Sequence, residues 1–455
     1  MTDDSLIDYF KKLVKRGDFG EIKILNRSSN SILREKGKNR FVTQAHSSGF
    51  GIRIYRNGLW ALASDTNLTE KALTTAVERA YASIPAGKKG KIEFDHKIKE
   101  IEAAPPWKKD MRDVDISDKL DLIKGAEEAA RIKKINMVTV AYADQVDHWV
   151  ISNTNGGRVS FYESYPRMMV SSFVKDQISM QSVTKSLGGN GGFEIMDYNK
   201  IIKIAKEASA DAIKLIGAKP VKGGNYDVVL DHSMTGVYTH EAFGHATEAD
   251  AVMNKSSILE NKLGRTVGPD IVTIIDDPTI KDARGSYMFD QEGSMAKKRI
   301  LVENGVLKSY LHSNETAEFM GLEPNGAARA MSYSSNPIPR MSNTFIAPGD
   351  FSDDIIDGIK EGIAFYGFQY GYTDPGSGKF MFKSQYGRTI KNGMFGDYVR
   401  DAALAGSTLD VLNKIDAIGK DLKLDEGTCG KLGQWVPVTS GGPKIRIRGV
   451  VVGGQ

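Results

Sequence analysis

The sequence predicts an α+β fold, with an N-terminal α/β domain followed by a β-rich C-terminal domain carrying a candidate metal helix. Three observations predict it. Helical and strand-like patterns alternate within the first 86 residues. Glycine-punctuated strand patterns outnumber helical ones beyond residue 223. Inside that region, after a buried-strand pattern, lies the string HEAFGHATEAD, starting at His240. A chain of 455 residues exceeds what one core of ordinary size needs, so several domains are expected. The expected division is an α/β domain over 1–86, a linker over 87–115, a middle α+β region over 116–222 and the β-rich domain over 223–455.

Leu6, Ile7, Phe10, Leu13 and Val14 recur at helical spacing. GFGIRIYRNGLWALAS reads as two strands around Asn57-Gly58, the strongest two-residue hairpin signal. Asn67 followed by Glu70 suggests the capped start of a helix through LTEKALTTAVERAYAS. The Lys/Glu-rich stretch with Pro105-Pro106 reads as a linker over the surface. A helix through DKLDLIKGAEEAARIK precedes NMVTVAYAD, HWVISNTNGG, RVSFYES and RMMVSSFV, whose alternation suggests an antiparallel meander. GGNGG at 188–192 reads as flexible punctuation before a helix through YNKIIKIAKEASADAIKLI. YDVVLD then looks like a buried strand, with Ser233 as N-cap of the motif helix. IVTIIDD, ILVENGVLKSYL with a turn at Asn304-Gly305, MSNTFIAPG, FMFKSQYG and PKIRIRGVVVGG add strands.

Composition narrows the function classes. Hydrophobic residues make up 40% and charged residues 26%, as in soluble globular proteins. No apolar run approaches the roughly 18 residues of a membrane span. The start, MTDDSLIDYFKKLVKRG, lacks the apolar centre of a signal peptide, so a cytoplasmic location is expected. The net charge is +4 with scattered basic residues, and KKGK near Lys88 reads as a short solvated run, so no nucleic-acid partner is expected. With Cys429 the one cysteine, no intrachain disulfide can form.

His240 and His245 are five residues apart, one more than in the HExxH zinc helix. Each residue of a regular helix turns by roughly 100°, so positions four apart differ by about 40° and positions five apart by roughly 140°. Two imidazoles at that angle cannot share one ion. A π-type turn absorbs the extra residue, and such bulges recur at functional sites. Gly244, just before the second histidine, relaxes the backbone there. Glu241 is the candidate base, since a carboxylate beside a zinc site can take the proton of a water whose pKa zinc lowers to around 7. Catalytic zinc usually has three protein ligands, and the third is sought among the remaining acids, the histidines and Cys429. Cys429 sits in GTCGKLGQ, which reads as a loop, where a thiolate is a good zinc ligand.

Bland readings stand beside these. The His-Glu-x-x-x-His string can arise by chance among seven histidines, and a lone cysteine can be a small buried hydrophobe. Glu248 and Asp250 read as solvated or capping acids, with orientation of a ligand histidine as the alternative. His312 reads as a structural histidine, and the 16 methionines as core filling.

Several blocks together resemble the TldD family of zinc metalloproteases, whose partner family is TldE, also called PmbA. HEAFGHATEAD resembles its HExxxH block, followed in order by IIDDPT, FDQEGSMAKKRILVENGVLKSYLHSNETA, PNGAARAMSYSSNPIPRMSNTFIAPGD and EGTCGKLGQWVPVTSGGP. GFGIRIYRNGLWALASDTNL near the N-terminus is similar as well. The resemblance implies a cytoplasmic zinc protease acting on small or unfolded polypeptides with a TldE/PmbA-type partner subunit or as a homo-oligomer. It implies His240, His245 and Cys429 as zinc ligands and Glu241 as the catalytic acid/base. A non-catalytic scaffold with a structural metal, and a small-molecule amidohydrolase, are the rival readings.

Overall fold

Apolar periodicity and turn chemistry account for the first elements. The computed structural model describes residues 2–85, 93–175, 180–351 and 354–454. The KKGK run at 88–91 lies outside the described residues. Helix α1 (Asp3–Leu13) buries Leu6, Ile7 and Phe10 and is capped by Thr2. Strands β1 (Phe19–Glu35) and β2 (Lys38–Arg56) run antiparallel, and β2 turns into β3 (Leu59–Asp65). Asn57 and Gly58 make that turn with φ of 54° and 80°. Positive φ at both positions matches the right-handed twist of the flanking strands. Helix α2 (Glu70–Ser83) starts at Thr69, whose hydroxyl accepts from the Ala72 N–H. Asn67, the expected cap, is too far from the first free N–H groups and folds back on Asp65.

Helix α3 (Ile116–Ala130) forms where its periodicity places it, but the expected meander is rearranged. Its first two pieces are one strand, β5 (Met137–Asn153): residues 145–147 hold no glycine or proline, and Val146 and Asp147 are buried in the continuous pairing with β1. β5 lies along β1 over nearly its full length, from Glu21↔Asn153 to Glu35↔Thr139. On its other edge it pairs with β6 (Arg158–Ser164) through one half and β7 (Arg167–Lys175) through the other, and β8 (Met180–Gly188) follows β7. The first and middle segments therefore share one eight-stranded sheet. α1 and α2 cover Ile22, Ile24, Phe50 and Ile52, while α3 and α4 (Tyr198–Ile213) cover Val138, Val140 and Met168. In the stretch read as a linker, β4 (Glu100–Glu102) pairs parallel with β6, and Ile98 is buried against Trp149 and Phe289. The GGNGG stretch is packed as well: the Gly191 N–H donates to the Ser164 carbonyl, and the Asn190 amide to that of Ser286.

Among the described residues beyond 223 the chain builds two large further sheets and a two-stranded ribbon of Ala328–Arg329 with Ile338–Pro339. In the first, Glu361–Asp374, Gly224–Leu230, Ile445–Gly453, Ala403–Ser407 and Lys379–Lys391 pair in that order, and the last pairs again with the first, closing a ring. The second has six strands in the order Val306–Leu307, Arg299–Glu303, Ile274–Asp276, Asn343–Ile346, Gln434–Gly442 and Lys423–Lys431. One continuous core joins them, with Phe365, Phe380 and Ile447 from the ring and Ile346, Val436 and Val438 from the six-stranded sheet. The motif helix supplies Met234, Tyr238, Ala242 and Phe243 to that core. Each such side chain withdrawn from water contributes roughly 1.5–3 kcal/mol, so the motif segment is anchored on both sides.

The segment 331–336 docks this half on the first sheet. Lys23 Nζ donates to the Ser335 carbonyl at 2.6 Å, and Arg27 to that of Met331 at 2.9 Å. Arg53 is buried between Glu21 and Glu292. Among the described residues, no helix is long and apolar enough to cross a membrane.

Candidate metal centre

Helix α5 (His232–Val237) begins at Asp231, whose carboxylate accepts from the Met234 N–H at 2.9 Å. Ser233, the expected cap, lies inside the helix. Winding then changes twice. Residues Tyr238–Phe243 form a π-helical turn, as the five-residue spacing requires, and Gly244–Thr247 tightens to a 3₁₀ turn. The rings of His240 and His245 stand 5.4 Å apart, centroid to centroid, at 85°.

Gly244 serves a different purpose from the one expected. Its φ of −57° and ψ of −49° are ordinary helical values open to any residue. What it lacks is room: a Cβ there would lie 3.3 Å from Met341 Cγ and Cε, and closer still to Sδ. Glycine lets Met341, fully buried, pack against the turn.

Cys429 lies in the strand Lys423–Lys431, not in a loop, paired with Val436 of the neighbouring strand. The Trp435 ring lies over the glycine at 430, where a Cβ would meet it at 2.7 Å. Strand alternation turns the sulfur inward, and it is buried. Here the expected residues converge: donor atoms of His240, His245 and Cys429 lie within 4.8 Å of one another. Cys429 Sγ is 3.3 Å from His245 Nε2. Glu241 Oε2 is 3.5 Å from the same nitrogen, with its side chain 34% exposed while the trio is buried.

The carboxylate of Glu248 lies 2.9 Å from His245 Nδ1, so the reading of Glu248 as a solvated acid gives way to orientation of the histidine. With Nδ1–H donating to Glu248, Nε2 is the nitrogen of His245 left to face the trio, where it would bind a metal on losing its proton. Lys431 and Arg340, neither singled out by the sequence, face Glu248 at 3.0 and 3.8 Å. Burial opposes the charge on Glu248, yet Lys431 and His245 hold its carboxyl down to about 2. Lys431 also pairs with Asp250 at 2.7 Å. Arg340 Nη2 donates to the Cys429 carbonyl at 2.7 Å. The residues after it are fixed by Asp276, a buried carboxylate receiving the Ser342 N–H and hydroxyl and the Thr344 hydroxyl. Lys431 carries a readable signal, since it lies two residues beyond Cys429 and so on the same strand face. His312 is a buried structural histidine, as expected, bonded through its N–H to Asn325 and lying 3.3 Å from Thr316.

The donor set fits a metal ion. Both ring nitrogens of His240 are buried without a hydrogen-bond partner, a costly state that a cation would relieve at one of them. Burial works against ionising Cys429, but the two histidines hold its thiol well below the ordinary range, toward the thiolate that binds metal. Two imidazoles and a thiolate suit zinc by donor softness.

The chain is similar to known proteins over most of its length. Three family models describing the PmbA/TldA metallopeptidase match in order: domain 1 over 20–84, the central domain over 109–216 and the C-terminal domain over 223–454. A metalloprotease of Methanothermobacter thermautotrophicus is 38% identical over 447 residues, covering 96% of each chain. A zinc metalloprotease TldD homolog of Saccharolobus solfataricus is 27% identical, covering 99% of this chain and 100% of its own. Two solved structures share the fold. One is a Thermotoga maritima protein called a modulator of a DNA gyrase (TM-score 0.82, 24% identity, covering 99% and 100% of the two chains). The other is TldE of Thermococcus kodakarensis (TM-score 0.77, 18% identity, 99% of each). With the family models spanning most of its length, the chain belongs to the PmbA/TldD family.

Proposed function

We propose that this chain is a zinc-dependent peptidase, with His240, His245 and Cys429 as the ligands and Glu241 as the acid/base. The observation that carries the reading is the meeting of three buried donors, with a part-exposed carboxylate beside them. Zinc held there would polarise a peptide carbonyl and lower the pKa of a water. Glu241 Oε2 accepts the proton of the attacking water and returns it to the departing amine. The trio, being buried, orients the site and keeps bulk water from one side of it.

The substrate class follows from the sheet. Lys423–Lys431 is the last strand of its sheet and pairs there with Gln434–Gly442 alone. Its Gly427 and Cys429 carbonyls are taken by Arg284 and Arg340, so an extended polypeptide would pair with the main-chain groups left along this edge, with little side-chain discrimination. We read small or unfolded polypeptides as the substrate, a TldE/PmbA-type subunit or a second copy of this chain as the partner, and the cytoplasm as the location. Similarity to a protein named TldE supports the partner. The rival scaffold reading calls for a closed cage of four protein ligands, and three are gathered among the described residues.

The test is Glu241→Gln, assayed with the partner subunit present on an unstructured peptide and on the same segment locked in a folded domain. Hydrolysis should be lost with metal retained, and the wild type should cleave only the free peptide. Activity persisting in the variant would remove Glu241 from the chemistry, and equal cleavage of both substrates would reject the substrate class.

A further inference from the structure

Two of the three donors are governed by one ionic cluster. Glu248 follows the 3₁₀ turn and is 1% exposed. One of its oxygens lies 2.9 Å from His245 Nδ1 and 3.0 Å from Lys431 Nζ. Lys431 belongs to the strand of Cys429 and also reaches Asp250 and the Pro339 carbonyl. Arg340, fully buried, faces the other Glu248 oxygen at 3.8 Å and donates to the Cys429 carbonyl. His240 has no comparable partner, so the cluster acts on His245 and Cys429 alone.

We propose that Glu248 and Lys431 are positioning residues: their ion pair clamps the histidine-bearing turn to the sulfur-bearing strand and presets the donors before metal arrives. The inference rests on the metal reading above. Its physical basis is distance in the chain. His245 and Cys429 are 184 residues apart, and no local hydrogen bond can set the separation of their donor atoms. A buried ion pair spanning the same two elements can, because its geometry is narrow and breaking it leaves an uncompensated buried charge. Glu248 also selects the tautomer in which His245 Nε2 is the donor. Asp250, receiving a second Lys431 contact, keeps that ammonium from swinging to solvent.

The experiment measures Co²⁺ and Zn²⁺ binding to the full chain by competition titration, with the thiolate-to-cobalt absorption band as a direct report on Cys429. Wild type, Glu248→Gln, Lys431→Met and the double variant are compared. Glu248→Gln should weaken zinc binding by about 10–100-fold and shift or weaken the cobalt band. Lys431→Met should act in the same direction, and the double variant should lose no more than Glu248→Gln alone, since both break one clamp. A pair that merely stabilised the fold would lower Tm while leaving the affinity and band of the folded protein unchanged, and that result overturns the proposal. If Glu248→Gln fails to fold, Lys431→Met decides by the same criterion. Wild type binding neither ion would overturn the metal reading and this inference together, whereas equal binding by wild type and variants overturns this inference alone.

Discussion

Gly244→Ala separates two reasons for a glycine in the motif. At φ −57° and ψ −49°, alanine has no conformational penalty, and the unfolded chain loses freedom. If glycine were present for flexibility alone, the substitution would be neutral or stabilising by about 0.4–1 kcal/mol. The packing argues the other way. The new methyl would overlap Met341 Sδ and crowd its two neighbouring carbons at 3.3 Å. Met341 is fully buried, and its carbonyl is held by Arg329 at 3.0 Å, so it cannot retreat into solvent. Overpacking of this kind costs about 1–3 kcal/mol. At about 2–4 °C per kcal/mol for a unit of this size, Tm should fall by about 2–12 °C. Thermal unfolding followed by circular dichroism, with metal content measured on the same samples, checks it. Met341→Ala in the same background should recover more than about 1 kcal/mol relative to the sum of the single changes. A Gly244→Ala protein as stable as wild type, or more so, would refute the steric argument.

Cys429→Ser should reduce zinc per chain sharply, because a hydroxyl is a far poorer ligand than a thiolate, and metal analysis reads the loss. If metal binds the folded state alone, chelator should lower Tm by removing about 2.7 kcal/mol of stability where free zinc had stood at 100 times its Kd. Burial lowers the pKa of His312 from 6.5 to about 4, so its imidazole stays neutral in the fold while the unfolded chain takes up a proton. Stability is then whole above pH 6.5 and falls as pH drops toward 4, by about 2 kcal/mol between pH 7 and 5 from this group. Urea midpoints at those two values should show a shallower slope in His312→Gln. Gly51→Ala should cost about 3 kcal/mol, because its Cβ would meet the Tyr333 carbonyl carbon at 2.7 Å and the oxygen closer still. Backbone cannot move as a methionine can, and a loss smaller than that of Gly244→Ala would contradict the reasoning.

Legibility followed the range of the interaction. Apolar spacing located α1, α3 and α4, and the Asn-Gly pairs at 57–58 and 304–305 both became turns with positive φ. Caps slipped by two residues, from Asn67 to Thr69 and from Ser233 to Asp231, since several polar residues near a helix start can compete for one role. Glycines misled at two places besides Gly244. The one at 430 reads as a loop residue yet sits in a strand, because its missing side chain is filled by Trp435. The GGNGG stretch reads as flexible yet is packed between elements distant in sequence.

The sequence by itself determined that His240 and His245 could share an ion only through a widened turn, because five residues of helix rotate too far. The turn is a local consequence of spacing, and it forms where that spacing places it. The tertiary structure alone decided that Cys429 joins them, that Glu248 is buried beside His245, and that Lys431 and Arg340 face it. Those contacts depend on the packing of a strand against a helix 184 residues away, and no periodicity in the chain encodes such a distance.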